Sequence, residues 1–541
     1  MKILLALSLL AVSASLAFAT TPQSAAQAAF EAGKAHQEKR ETQAAIKSYQ
    51  QAIKLNPKLA SAHYELGWSY WVDGKWGKVI KHWQLAKKLG LQQPQLDQHL
   101  KRARDNQAGR LEPLYRPDIG LRASSGDGLS KKEQRSGLPQ ITLTLSHRFQ
   151  HYNMKPVHTD DVVDNWVFSP KSARFSADGD RVYVNALEAF RTLIYDPRNM
   201  KRTGVISHSF RASHAPLFKP KTAGEPWGRT WAPEGRDFYQ FKGKPVESTL
   251  SHQDRFLWIP YYRRDFDNYS TLASAIAVID TQGHKIVRVL DTGPIPKTVA
   301  TSPNNNWVAI AHWGDNTVGL IDTSSGDPAR FKRRHQIAIG KQLDLSKIDS
   351  HDRDHGCGAC LRGAVFSADS RYLVVGRMGG GGLAVIDVEA GRYLGTVWGM
   401  PPTPRHLALS PDNEWLYLSS SLAGTISRYR LNDVIDAAKR HQRTLKPLQT
   451  ARSGQATRTI ELSPDGKWIY AAVNKESKIA VLSAPDLKPV LRIETDSFPV
   501  GLAISPDGKQ LWVTAQGRKL RGGNAVSVYN IDTGDQKVSA Q

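Results

Sequence analysis

Residues 459–473, TIELSPDGKWIYAAV, read as one complete β-hairpin. Thr459 to Leu462 alternate polar and apolar, as a half-buried strand does, and Trp468 to Val473 open on an aromatic and stay largely apolar. Between them lies Ser463-Pro464-Asp465-Gly466. Proline fixes φ, aspartate bonds back to the local backbone and glycine accepts the left-handed conformation, so the four residues specify a tight turn. Six further segments superimpose on this one without a gap: SARFSADGDRVYVNA from Ser172, ESTLSHQDRFLWIPY from Glu247, TVATSPNNNWVAIAH from Thr298, GAVFSADSRYLVVGR from Gly363, HLALSPDNEWLYLSS from His406 and GLAISPDGKQLWVTA from Gly501.

Third strands follow in most copies, as in AIAVIDTQG, VGLIDTSSG, LAVIDVEAG and VSVYNIDTG, and fourth strands in KIVRVLDTG, RYLGTVWG and PVLRIETD. A unit of four strands repeated seven times predicts a seven-bladed β-propeller over 139–541. The last copy stops soon after its third strand, and Ile141 to Phe149, ITLTLSHRF, is expected to supply the missing outer strand and close the ring. These repeats resemble the bacterial YVTN family of β-propellers, a WD40-like architecture. The resemblance implies a fold and leaves function open, since related propellers include lactonases, haem-binding domains and binding scaffolds.

Working towards the N-terminus, 110–138 is rich in Gly, Pro, Ser and charge and is expected to be a linker. Before it, over 20–109, small and apolar residues recur three or four apart, which is helical spacing. Gly33, Ala45, Tyr49, Ala52 and Pro57 are answered 34 residues later by Gly67, Val79, Trp83, Ala86 and Leu91, with Leu66 and Tyr70 in the remaining signature places. This resembles two tetratricopeptide repeats, TPRs, and the resemblance implies a small groove for a peptide or protein partner; the alternative is a module that docks structurally against the next domain. A third amphipathic helix, about Gln95 to Gln107, is expected to cap the stack. The fold class is therefore α plus all-β: a short α-helical module followed by a seven-bladed β-propeller.

The first residues carry Lys2, an apolar run from Ile3 to Leu16 and an Ala17-Phe18-Ala19 cleavage pattern, so 1–19 read as a signal peptide. A periplasmic or secreted protein is expected. No later apolar run reaches the roughly 20 residues of a membrane span. The formal charge is +23, or +22 without Lys2. In an intracellular protein such a balance points first to nucleic acid. Export weakens that reading and leaves lipid phosphates, acidic polysaccharide and acidic proteins as partners, or a basic surface that serves solubility alone.

If the face where the chain enters each blade is called the upper face, the longest loops, 208–246, 263–273, 340–361, 378–382 and 517–523, lie on it. Five positions before the aligned Ser of each turn stand Lys171, Lys297, Arg362, Arg405 and Arg458, with Val246 and Val500 in the other two copies. Equal offset implies equal radius, so these cations are expected to ring the upper channel mouth, joined by His312, Arg377 and His406. The alternatives are an anion-binding site and a set of structural ion pairs with neighbouring blades.

Only two cysteines occur, Cys357 and Cys360, in HDRDHGCGACLRG. In an oxidising compartment a Cys357–Cys360 disulfide is expected. The alternative is a zinc or copper site from His351, His355, Cys357 and Cys360, and no other cofactor is indicated. The insertion around Trp227, Trp231, Phe238, Tyr239 and Phe241 is read either as an aromatic platform for a ligand or as a small satellite core. There is no nucleophile elbow, no convincing pair of catalytic carboxylates and no nucleotide loop. A binding or assembly protein is thus preferred, and the alternative is a lactonase-like or copper-, zinc- or haem-associated factor with its site at the channel mouth.

Overall fold

A computed structural model describes residues 22–38, 42–72, 75–93, 96–107, 141–151, 162–218, 237, 239–267, 270–347, 356–517 and 523–534. The 1–19 signal reading and the 110–138 linker lie outside these residues. The chain divides into two compact units, one helical up to residue 107 and one β-rich from residue 141.

The helical unit has α1 (Pro22–Glu38), α2 (Thr42–Leu55), α3 (Ala60–Val72), α4 (Trp76–Lys88) and α5 (Leu96–Gln107). The signature glycines explain the pairing of these helices. A Cβ on Gly33 would stand 2.5 Å from the ring of Tyr49, and one on Gly67 only 2.2 Å from the ring of Trp83. No other residue lets these large side chains close on the facing helix. Trp83 is fully buried and donates its indole N–H to the Tyr64 carbonyl at 3.0 Å. Leu96, Leu100 and Ala103 of α5 are buried, as expected of a cap.

The β-rich unit has seven sheets. Six are built from consecutive strands. In the seventh, Pro499–Ile504, Gln510–Ala515 and Ala525–Asp532 are completed by Thr142–Gln150, antiparallel to the last of them in the register Leu143 to Ile531 and Phe149 to Val526. The N-terminal strand closes the ring as expected, and a short extra strand, Val162–Val163, runs parallel to its end. In Ser463-Pro464-Asp465-Gly466 the Ser463 hydroxyl donates to Asp465 at 2.5 Å and accepts the Trp468 N–H at 2.9 Å, while Gly466 sits at φ 71°. The same Ser–Asp bond recurs at Ser176, Ser367, Ser410 and Ser505, so the repeated turn is one hydrogen-bonded device. One insertion forms α6, Leu431–Lys439, whose Leu431, Val434, Ile435, Ala437 and Ala438 pack into the core of the fourth and fifth blades.

Candidate functional site

Six of the seven innermost strands begin with a backbone irregularity. In six blades the pairing with the second strand shifts register at 170/172, 296/298, 362/364, 404/406, 457/460 and 499/501. These are β-bulges, which break the two-residue alternation and re-aim side chains at a barrel or channel rim. Five of these bulges fall where the basic residues stand, and in the fifth blade both Arg405 and the residue after it, His406, line the channel.

The structure brings six of the expected residues together. Lys171 lies within the fields of Arg458, Arg362 and Lys297, with Glu247 opposing them; burial and then these cations push its ammonium well below the usual lysine range. Arg362 is 8% exposed and stands 3.9 Å from Glu247. Arg405 acts on both Glu247 and His406. Aromatic and thioether groups back the cations: Lys297 is 4.2 Å from the centre of Tyr262 and 5.2 Å from Trp313, Arg458 is 4.8 Å from Phe498, and Arg405 Nη1 is 3.6 Å from Met378 Sδ.

Below the ring lies a cavity of about 580 Å³. Its walls descend from Arg362, Arg405 and His406 past Arg174, Glu247 and Glu461 to Pro303, Pro411, Asn413 and Pro464 of the hairpin turns. The space is therefore within the channel and towards the lower face, with the cations at its upper end. Much of the remaining wall is small or apolar, including Ala300, Val365 and Ala408. His406 Nδ1 accepts the Ile460 N–H at 3.4 Å, and burial together with Arg362, Arg174 and Arg405 lowers its pKa to about 3, so the ring is neutral and its Nε2 carries the proton. Burial raises the Glu461 carboxyl to about 7, with Arg174 opposing and Glu247 reinforcing the shift.

Arg174, Glu247 and Glu461 were not singled out from the sequence. Glu247 shares an alignment column with His406, and Arg174 and Glu461 share another in which the remaining residues are Thr249, Ala300, Val365, Ala408 and Ala503. A charged residue in a column of small ones is the signal that marks them.

Two expected members of the ring stand elsewhere. His312 is fully buried on a second strand, with Nδ1 2.8 Å from Thr317 Oγ1 and Nε2 accepting the Gly293 N–H at 3.1 Å; burial lowers its pKa to about 3. Its nitrogens are committed within the blade. Arg377 lies over the Trp398 ring, 5.8 Å from its centre, and is not among the walls of the cavity.

Cys357 and Cys360 form a disulfide. Neither sulfur is then a thiolate, which removes the two soft ligands from the zinc or copper alternative; His351 and His355 lie outside the described residues, and among the described residues no group of three or more His, Cys, Asp or Glu is placed to hold a metal. The disulfide packs with Ile295, Trp313, Tyr262 and Met378, and the last three of these also back Lys297 and Arg405. Gly379 is required beside it, since a Cβ there would be 1.8 Å from the Gly358 carbonyl oxygen. Of the aromatic insertion, Phe241 joins Phe210, Phe218 and Tyr261 in a buried cluster with Tyr239 against it, a satellite core; Trp227, Trp231 and Phe238 lie outside the described residues.

Residues 249–540 match the family described as lactonase, 7-bladed beta-propeller, and residues 33–74 match the TPR repeat. Antigen Lp49 of Leptospira interrogans is 23% identical over 257 residues, 45% of this chain and 50% of that protein. A 6-phosphogluconolactonase of Sodalis glossinidius is 29% identical over 137 residues, 24% of this chain and 39% of that protein. The chain thus spans half the length of these curated relatives or less. Among solved structures, hydrazine synthase of Kuenenia stuttgartiensis matches with 16% identity and a TM-score of 0.44 over 66% of this chain and 95% of that one. The Cps50 (Swd1) propeller domain of Myceliophteria thermophila matches with 13% identity and a TM-score of 0.46 over 67% and 96%. At these TM-scores the likeness says nothing of function.

Proposed function

This chain belongs to the lactonase family of seven-bladed β-propellers, and from that premise we propose that its central channel binds a small organic anion. The observation that carries this reading is the charge gathered on the innermost strands: Lys171, Arg174, Lys297, Arg362, Arg405 and Arg458 stand against Glu247 and Glu461 among the described residues. Cations assembled at such density repel one another, and a bound anion relieves the repulsion while gaining charge-assisted hydrogen bonds. His406 adds a neutral donor, and the apolar lower wall receives a carbon skeleton. The protein is read as an exported, periplasmic or secreted binding or assembly factor, its TPR unit holding a protein partner. The matched repeat and the packed helical pair support that second contact.

Double substitution of Arg405 and Arg458 by Ala tests the channel. Binding of citrate or phosphate, followed by calorimetry, is expected to fall by well over tenfold with Tm unchanged or raised; removing one partner of a buried charged bond costs binding about 2–5 kcal/mol, whereas a surface pair contributes only about 0–1 kcal/mol to stability. A marked drop in Tm with binding intact would identify the arginines as struts between blades.

A second reading is hydrolysis of an anionic lactone. The Glu461 carboxyl, titrating at about 7 beside a guanidinium, is the specific feature that favours it, since a base poised near working pH suits activation of water. Glu461→Gln should then abolish lactone opening while leaving anion binding in place. Absence of turnover on anionic γ- and δ-lactones by the unaltered protein would retire this reading and leave the first standing.

A further inference from the structure

Away from the channel, two imidazoles of the helical unit meet across the α3–α4 hairpin. His63 on α3 and His82 on α4 lie with their Nδ1 atoms 3.0 Å apart and their rings stacked at 5.3 Å. His63 is buried, and its Nε2 is 3.1 Å from the Pro57 carbonyl oxygen. A carbonyl only accepts, so Nε2 carries the proton of the neutral ring and Nδ1 presents its lone pair to His82. A histidine whose far nitrogen is tied to a carbonyl, while its near nitrogen carries a lone pair that accepts the His82 Nδ1–H, is oriented as metal-binding histidines are.

The spacing fits as well. Two nitrogens at about 2.0–2.1 Å from one tetrahedral ion are separated by roughly 3.3 Å, a few tenths from the distance observed. His82 is half-buried, which leaves one side of the pair open to water. The ring of Tyr70 covers His82 at 5.6 Å.

We propose that His63 and His82 form a two-histidine site for a borderline divalent cation of the Zn²⁺, Ni²⁺ or Cu²⁺ class, linking α3 to α4 within the second repeat. Binding needs the His82 proton to move from Nδ1 to Nε2, with no net release, and both Nδ1 lone pairs then reach the ion. Water or a small anion fills the remaining positions, and the nearby charges of Lys78 and Lys81 favour an anion there. The site is independent of the channel and of any reading of it.

Zinc titrated into the full chain tests this. The expected result is a saturable component of one ion per chain, a rise in the Tm of the helical transition, and zinc-dependent shifts of the His63 and His82 ring resonances. His82→Gln keeps a side-chain donor at the half-exposed position and should weaken that component at least tenfold; His63→Gln should do the same. Ring resonances that ignore zinc in the unaltered protein would overturn the site even if a variant failed to fold, and so would zinc affinity unchanged in a folded His82→Gln chain.

Discussion

At the scale of single residues, the channel is governed by cations gathered on neighbouring innermost strands. Lys171 shows this most plainly, because burial and three neighbouring cations all disfavour its charged form. Replacing it with Met removes a repelling charge and keeps the stem that packs there. We expect Lys171→Met to leave Tm unchanged or higher and to weaken citrate or phosphate binding, read by thermal melting and calorimetry on the same sample. Glu461 sets the pH response. Its folded-state pKa of about 7 lies above the unfolded value near 4.5, so the folded chain holds the extra proton between those values and loses the associated stability as pH rises through 7. Above that pH the carboxylate adds a negative charge to the cavity. Anion affinity should therefore fall as pH rises from 6 to 8, and Glu461→Gln should flatten that profile. A profile unchanged in Glu461→Gln would assign the response to another group.

At the scale of elements, the blades were legible because one pattern recurs seven times, and a column of aligned residues averages away local ambiguity. The turn at Ser463 to Gly466 specifies its own hydrogen bonds, and the alternation in Ile141 to Phe149 fixed which face of the closing strand is buried. The bulges were not legible. A register shift is a property of the pairing between strands and leaves no residue signature, yet it decides that Arg405 and His406 both reach the channel. For the same reason His312 was misplaced: nothing in its neighbours says that a second-strand imidazole points into the blade towards Thr317 and not towards the mouth. The disulfide was expected from the signal-like N-terminus and the C-x-x-C spacing, whereas its packing against Trp313 and Met378 needed the fold.

The helices carry a pH dependence of the opposite sign. His99 is 3% exposed among Trp68 and Trp83, and burial lowers it to about 4, as it does His82. Both lie below the unfolded value of 6.5, so the unfolded chain binds more protons between 6.5 and 4 and the stability of the helices is lost over that range. For His99 alone the loss is up to about 3 kcal/mol. Melting of the helical unit should shift down steeply below pH 6, and His99→Phe should reduce the slope. A helical Tm that is flat from pH 7 to 4.5 would mean that these rings are not buried as described.

At the scale of the whole molecule, two units with separate cores share one chain. Each buries its own aromatic and aliphatic residues: Tyr49, Trp68 and Trp83 in the helices, and the Val, Ile and Leu of seven sheets in the propeller. A chain beginning at residue 136 retains the closing strand Thr142–Gln150 and should fold as a β-rich monomer. Beginning instead at residue 165 removes that strand, leaves the edge of Ala525–Asp532 unpaired and should produce aggregation. If the chain from 136 unfolds and is rescued by adding the helical unit, the two are one cooperative body. The architecture could be read from repetition and closure, which are global features of the sequence. The site could be read only in part, because Arg174, Glu247 and Glu461 each occur once in their columns and acquire meaning only when the strands converge.

The central claim is that the channel of this propeller holds an anion against its basic ring. The most direct measurement is anomalous diffraction from crystals of the full chain equilibrated with selenate at low millimolar concentration, since selenium marks the anion unambiguously. A peak between Arg362, Arg405 and Arg458, within hydrogen-bonding distance of at least two of them, is the result expected. An empty channel with these arginines turned onto carboxylates of their own or neighbouring blades would contradict the claim.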